Sequence, residues 1–333
     1  MIHRSYARLQ TATIAAFALL PAVLLGQSNS NFTLSKAIQD RVAKGDKPVI
    51  YVSYHDVSNE FAPFIKSGVE KADKDFNVDA KLVGPVGADA EKQVAEIESL
   101  IQKGVDGLAI SSVSTDALAP IIDRALAQGI PVVTFNTDNP NSKRLAFVGQ
   151  DLVQSGRIAG KLLAETLGGK GNVIITTLDA AAQWSIDREK GAREALGQYP
   201  GIKILTTVTT GTEPQQIYGA VENAMQAHPN VDGILSLECC STPAAGQYAQ
   251  RNNLVGKVKI VGFDMLPETI KLVQGDVISA TIDQAPDKQS YEAVHLLLDT
   301  LKGKAAHTVD TGAAVYNSKN IGDYVVAAKG KKE

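Results

Sequence analysis

From residue 48 onward, short apolar runs alternate with segments whose apolar residues recur every three or four positions. PVIYVSY (48–54) reads as a strand, and FAPFIKSGVEKADKDF (61–76) then places Phe61, Phe64, Ile65, Val69, Ala72 and Phe76 on one helical face. VDAKLVG (78–84) is strand again. ADAEKQVAEIESLIQKG (88–104) is helix, with Val94, Ile97, Leu100 and Ile101 inward and Gly104 at the left-handed position that ends it. GLAISSV (107–113), TDALAPIIDRALAQG (115–129) and PVVTFN (131–136) repeat the unit. A second series begins after LAFVGQD (145–151): strands at NVIITTL (172–178), KILTTVT (203–209), GILSLE (233–238), KIVGFD (259–264) and SATIDQ (279–284), with helical segments between them and DKQSYEAVHLLLDTLKG (287–303) after the last. Strands this short, apolar on both sides and separated by helices, predict α/β architecture with parallel sheets covered on both faces. The chain has 333 residues, more than one core usually serves, so the pattern predicts two doubly wound, Rossmann-like domains dividing near Gln150–Asp151.

In open parallel sheets, ligands bind beyond the carboxyl ends of the strands, so the residues just past each strand are informative. HDVSNEF (55–61) comes after the first, Asn136, Thr137 and Asp138 come after PVVTF, and DAAAQW (179–184) comes after IITTL, with Arg188 just inside the next helix. Glu238 and two cysteines succeed GILSL, Asp264 succeeds KIVGF, and Asp283–Gln284 succeed SATI. Polar endings at equivalent positions of two sheets predict a hydrogen-bonding cleft between the domains.

The rest of the sequence narrows the chemistry. Net charge is −3 with no block of Lys and Arg, which gives no footprint for a nucleic-acid partner. No P-loop, G-x-S-x-G elbow or H-E-x-x-H occurs, and the five histidines (3, 55, 228, 295, 307) lack metal-ligand spacing, so no metal, no cofactor and no enzymatic activity is expected. Asp56, Asp138, Glu238, Asp264 and Asp283 resemble the carboxylates of a glycosidase, but binding suits them better. A carboxylate accepts hydroxyl hydrogen bonds from a sugar, an arginine donates in a fixed fork, and an aromatic ring covers the C–H face of a pyranose. At the amino terminus Arg4 and Arg8 precede the apolar TIAAFALLPAVLLG (13–26), the pattern of a signal peptide over 1–26. Its removal would take the charge from −3 to −5, two positive charges leaving with it. Export makes the adjacent Cys239–Cys240 pair open to two readings, buried thiols or a vicinal disulfide.

Several segments together carry a family resemblance: SNEFAPFIKSG (58–68), QKGVDGLAISSVSTDALAP (102–120), QGIPVVTFNTD (128–138), R-x-x-G at 188–191, AHPNVDGILS (227–236), VGFDMLPETI (261–270) and ISATIDQAP (278–286). From about residue 48 to 325 the chain resembles the type I periplasmic sugar-binding proteins of ABC importers, relatives of the ribose-binding protein and of lactose-repressor-type ligand domains. The resemblance implies a periplasmic binding protein type I fold with a three-strand hinge near Gln150–Asp151, Asp283–Gln284 and 311–314. It divides the chain into an N-terminal extension (27–46), an N-terminal lobe (47–150 plus 285–313) and a C-terminal lobe (151–284 plus 314–328). It implies ligand contact by Asn59 and Phe61 from the first strand loop and by Arg188, Asp264 and Gln284, which match the family's arginine, aspartate and glutamine. Asn136 stands where the ribose binder has an aspartate, Thr137 where it has an arginine, and Glu238 where an asparagine is usual. These departures favour a different aldose, polyol or deoxysugar over ribose.

Each candidate also has a local reading. Asn59 can cap the helix that begins near Phe61, and Phe61 can be core. Trp184 can stack on a ligand or pack between domains, His55 and Asp56 lie in a loop longer than the ribose binder's, and Asp138 can be a turn residue before Asn-Pro. The expectation is an exported periplasmic monomer that binds a small sugar or polyol and docks on a membrane ABC permease. A receptor for a sugar-like signal, feeding a membrane sensor, is the alternative. Arg188→Ala is expected to weaken binding more than tenfold while leaving the ligand-free protein nearly as stable.

Overall fold

The structure, a computed structural model, describes residues 32–330; the expected export segment at 1–26 lies outside the described residues. The first sheet contains β1 (Val49–Ser53), β2 (Asp79–Val83), β3 (Gly107–Ile110), β4 (Val132–Phe135), β5 (Phe147–Gly149) and β11 (Val309–Asp310), in the order β11-β5-β4-β3-β1-β2 with every pair parallel. Between its strands run α2 (Ala62–Phe76), α3 (Ala90–Lys103) and α4 (Thr115–Ala127), and α10 (Pro286–Leu301) returns to pack on the same sheet and on α2. The second sheet contains β6 (Lys170–Thr177), β7 (Gly201–Thr209), β8 (Gly233–Ser236), β9 (Lys259–Phe263), β10 (Ala280–Asp283) and β12 (Ala314–Tyr316), in the order β12-β10-β9-β8-β6-β7. Its helices are α5 (Leu152–Thr166), α6 (Gln183–Leu196), α7 (Pro214–Ala227), α8 (Ser241–Arg251) and α9 (Pro267–Gln274), with α11 (Ile321–Gly330) beside α9.

The central strands β3, β4, β8 and β9 are almost wholly buried, while the outer β2 and β7 are half-covered, as expected for sheets with helices on both faces. Gly104 ends α3 in the left-handed conformation at φ 71°. One strand departs from the parallel expectation: β12 pairs antiparallel with β10. The reason is directional. Both sheets present their carboxyl ends to the space between them, and the chain passes from β11 through 311–313 straight into β12, so it meets the second sheet from its carboxyl end. Two further crossings, at 150–151 and 284–285, join the sheets.

The segment before β1 contains α1 (Lys36–Lys44), capped by Ser35 Oγ. Arg41 Nε and Nη2 donate to Asp106 Oδ1 at 2.8 and 2.6 Å, and Asp106 Oδ2 accepts from Val49 N, which ties this helix to the first sheet. On the other lobe, α5 and α6 pack at glycine-limited distance. A Cβ built on Gly191 would lie 1.9 Å from Val153 O, and one on Gly156 2.1 Å from Arg188 O. That close seat fixes the height of Arg188 along the second lobe. Among the described residues, no helix is long and apolar enough to cross a membrane.

Candidate ligand-binding cleft

Where the strands of the two sheets point at each other lies a cavity of about 390 Å³ including its mouth. Tyr54, His55, Asn59, Phe61, Asn136, Thr137, Leu152, Leu178, Trp184, Arg188, Glu238, Cys239, Asp264 and Gln284 line it. Ten of the twelve sequence-derived candidates therefore share one space; Asp56 and Asp138 do not line it.

Asn136 and Asp264 end β4 and β9 in left-handed conformations, φ 57° and 70°, which asparagine and aspartate tolerate better than other side-chain-bearing residues. That backbone turn leaves them at the carboxyl ends of their strands, facing across the hinge. Asn136 Nδ2 donates to Gln284 Oε1 at 3.2 Å and to Gln289 Oε1 at 2.9 Å, while Gln284 Nε2 donates to Asp264 Oδ1 at 2.8 Å. A chain of amides thus connects the two lobes through the hinge. Gln289 and Thr311 extend it: Gln289 Nε2 and Thr311 Oγ1 both donate to Gln284 O. Burial lifts the Asp264 carboxyl from 3.8 to about 7, against the pull of Arg188 and of the Gln284 hydrogen bond.

Arg188 is 3% exposed. Nη1 donates to Leu237 O at 2.9 Å, Nη2 to Gln150 Oε1 at 3.3 Å, and the guanidinium lies 4.1 Å from the centre of the Phe263 ring. Its buried Nε has no partner. Burial lowers its pKa, with Asp264, Cys239 and Glu238 opposing. Arg188 thus also holds Leu237 O and Gln150 within the protein, so its truncation bears on stability as well as on binding.

Glu238 lines the cavity, yet both of its oxygens are engaged: Oε2 accepts from Cys240 N at 2.6 Å and Oε1 from Ser241 N at 3.0 Å. It anchors the first turn of α8, where a negative charge is favoured. Burial raises its pKa, opposed by those bonds and by Arg188.

On the opposite wall, Asn59 does both things its sequence position suggested. Oδ1 accepts from Phe61 N and Ala62 N at 3.1 and 3.0 Å, the start of α2, while the side chain also lines the cavity. Phe61 is buried against Tyr54 and Phe64 and lines the same space. His55 stacks on Trp184 with ring centres 4.2 Å apart and planes 19° apart, joining the loop after β1 to the start of α6. Its Nδ1 lies 2.8 Å from Ser111 Oγ. The same Ser111 hydroxyl lies 3.3 Å from Asn136 Oδ1, which links His55 to the strand-end asparagine. Burial, with Arg188 adding, lowers the His55 pKa to about 3, so the ring is neutral at physiological pH. Thr137 is buried, and its hydroxyl donates to Asn136 Oδ1 at 3.4 Å.

Asp56 and Asp138 are placed differently from expectation, for a common reason: local donors draw them into their own loops. Asp56 Oδ1 accepts from Ser58 N, Ser58 Oγ and Gly87 N at 2.9, 2.6 and 3.0 Å, which shapes the loop and leaves Asp56 on a neighbouring outer recess. Asp138 pairs with Arg144 and accepts from Thr134 Oγ1 at 2.6 Å and Asn139 N at 2.7 Å. Tyr54, Leu152, Leu178 and Cys239 are lining residues that sequence reasoning missed. Tyr54 was hidden inside an apolar strand, and the two leucines carry no polar signal. Among the described residues, Glu238, Cys239 and Cys240 form a cluster whose potential ligand atoms lie within 4.8 Å of one another, but the Glu238 oxygens already hold two backbone amides.

Residues 50–305 match the family model of the periplasmic binding protein domain. The xylose/arabinose-binding protein XylF of Sulfolobus acidocaldarius is 26% identical over 304 residues, covering 84% of this chain and 73% of that protein. The xylitol-binding protein of Mycolicibacterium smegmatis is 28% identical, covering 82% and 76%. A solute-binding protein of an ABC transporter from Burkholderia graminis, solved with D-arabinose, superposes with a TM-score of 0.79 at 28% identity, covering 83% of this chain and 97% of that one. The two-sheet architecture with its hinge is therefore that of the type I periplasmic binding proteins, and the chain belongs to the periplasmic binding protein family.

Proposed function

We propose that the protein captures a monosaccharide or related polyol between its two lobes, outside the cytoplasm, and delivers it to the permease of an ABC importer. The observation that carries this reading is Arg188: a buried guanidinium in the cavity wall with Nε unpartnered, beside Asp264 and facing the amides of Asn136 and Gln284. Leaving a buried donor unpaired costs roughly 1–3 kcal/mol, which a guest hydroxyl or ring oxygen would recover. The aromatic and aliphatic wall of Tyr54, Phe61, Trp184 and Leu178 suits the C–H face of the same guest. Relatives that bind pentoses and a pentitol support a small polyhydroxylated ligand. In this reading the ligand-contacting set is His55, Asn59, Phe61, Asn136, Thr137, Trp184, Arg188, Asp264 and Gln284, with Glu238 as a wall and an electrostatic partner of Arg188.

Closure arises because each lobe contributes part of the set. A guest favours the closed form only by binding it better than the open one, and bridging contacts do that. Residues 1–26 act as the export signal in this proposal, and the binding is free of turnover. The test is a thermal-shift screen with D-ribose, D-arabinose, D-xylose, D-allose, D-galactose and xylitol, then calorimetry. A ligand present at about 100 times its dissociation constant adds about 2.7 kcal/mol of stability. A flat response to the whole panel would end the sugar reading, and chemical loss of the bound sugar on incubation would make the protein an enzyme.

A further inference from the structure

The turn between β8 and α8 carries two cysteines in succession, and the structure gathers them tightly. Cys239 Sγ and Cys240 Sγ lie 2.8 Å apart, both side chains are buried (5% and 9% exposed), and Cys239 forms part of the cavity wall. The backbone here is pinned, since Glu238 takes the N–H groups of Cys240 and Ser241. No ligand-contacting role in the proposed function needs two thiols, and their pKa values are both raised, Cys239 by its contact with Cys240 and by burial, Cys240 by burial.

We propose that Cys239 and Cys240 are joined as a vicinal disulfide in the exported protein, and that this ring is an apolar wall of the ligand cavity. Adjacent Cα atoms are about 3.8 Å apart, under the roughly 4.4–6.8 Å that ordinary disulfides span, so the bond closes a compact eight-membered ring within one turn. Two thiols give up two protons and two electrons as the S–S bond forms. The electrons and protons leave on a disulfide of a thiol-exchange protein, which is released as its dithiol. The change at the cavity is chemical. The Cys239 thiol in the wall loses its S–H donor and becomes a fixed, polarizable sulfur, suited to the C–H side of a sugar ring. The second half of the proposal rests on the sugar-binding reading; the bond itself does not.

The full-length protein, expressed with export, is measured first by intact mass and by thiol titration in denaturant. The expected result is a chain lighter by two hydrogen atoms than its reduced form, with no titratable thiol until a reductant frees two. Two thiols titrating in freshly exported protein, or a stoichiometric metal whose removal frees them, overturns the bond. Calorimetry then uses whichever of D-ribose, D-arabinose, D-allose and xylitol stabilises the protein most. Reduction is expected to weaken binding by about fivefold or more. The Cys239→Ser/Cys240→Ser variant should bind like the reduced protein and ignore the reductant. Equal affinity in both redox states overturns the wall. If none of the four sugars binds in either state, the sugar reading has failed, while mass and titration still decide the bond.

Discussion

Replacing Asp264 by asparagine separates a binding role from a structural one, because the two make opposite demands on the buried carboxylate. Asparagine fits the φ of 70° at this position and can still accept from Gln284 Nε2. The wild-type carboxyl is raised from 3.8 to about 7, with burial the main cause. An acid raised in the folded state keeps the folded protein's full stability below about pH 3, where both states are protonated. Stability is then lost as pH rises towards 7, because the unfolded chain ionises first. The gap of 7 − 3.8, about 3 units, corresponds to roughly 4 kcal/mol of penalty above pH 7, at about 1.36 kcal/mol per unit. The neutral amide of the Asp264→Asn variant carries no such penalty. The ligand-free variant is therefore expected to exceed the parent in stability at pH 8 by up to about 4 kcal/mol, and to match it near pH 3. Ligand binding should move the other way. Two hydroxyl bonds to a carboxylate contribute about 1.5–3 kcal/mol each, and to a neutral amide about 0.5–1.5, so about 2 kcal/mol or more, near thirtyfold in affinity, is lost at pH 8. Denaturant unfolding at pH 3, 6 and 8 without ligand, and calorimetry at pH 8 with the sugar found in the screen, read both arms. A variant less stable than its parent at pH 8 would mean that the carboxylate holds the fold together, and undiminished affinity would place the guest elsewhere.

Arg188→Ala should reduce affinity by more than about tenfold and also destabilise the ligand-free protein by about 1–3 kcal/mol, since it leaves the buried Leu237 carbonyl and Gln150 without their donor; chemical denaturation measures the second effect. Asp138→Asn is expected to leave sugar affinity within about twofold, because this carboxylate pairs with Arg144 away from the cavity, and to cost about 1 kcal/mol of stability, seen as a slightly lower melting temperature. Gly191→Ala should destabilise the second lobe by about 2–3 kcal/mol through its collision with Val153 O, seen as a lower unfolding midpoint, and should weaken sugar binding by displacing Arg188.

The alternation of short apolar runs with segments of period 3.6 made most of the fold legible, because each main strand is a continuous apolar run between amphipathic helices. The elements that stayed hidden lacked that signal. The helix α1 is largely polar and buries only Ile38, and β11 and β12 are two and three residues long, too short to show a period. The antiparallel edge comes from the route between sheets, which no local pattern encodes. At the cleft, Asn136, Asp264 and Gln284 were readable because a polar residue ending an apolar strand has few structural uses. Asp56 and Asp138 look the same in sequence. Their difference lies in Ser58, Gly87, Thr134 and Arg144, which reach them only once the loops are folded. Glu238 is the intermediate case, a cavity residue whose oxygens are engaged by the next helix.

The face-to-face pair of His55 and Trp184 spans the lobes, and both rings border the inner cavity and the outer recess alike. Separating the lobes must pull these stacked rings apart, so a contact that borders the guest also resists opening. Part of the resistance to escape then belongs to the protein rather than to the passenger, and sugars of different affinity would share that contribution of the ring contact.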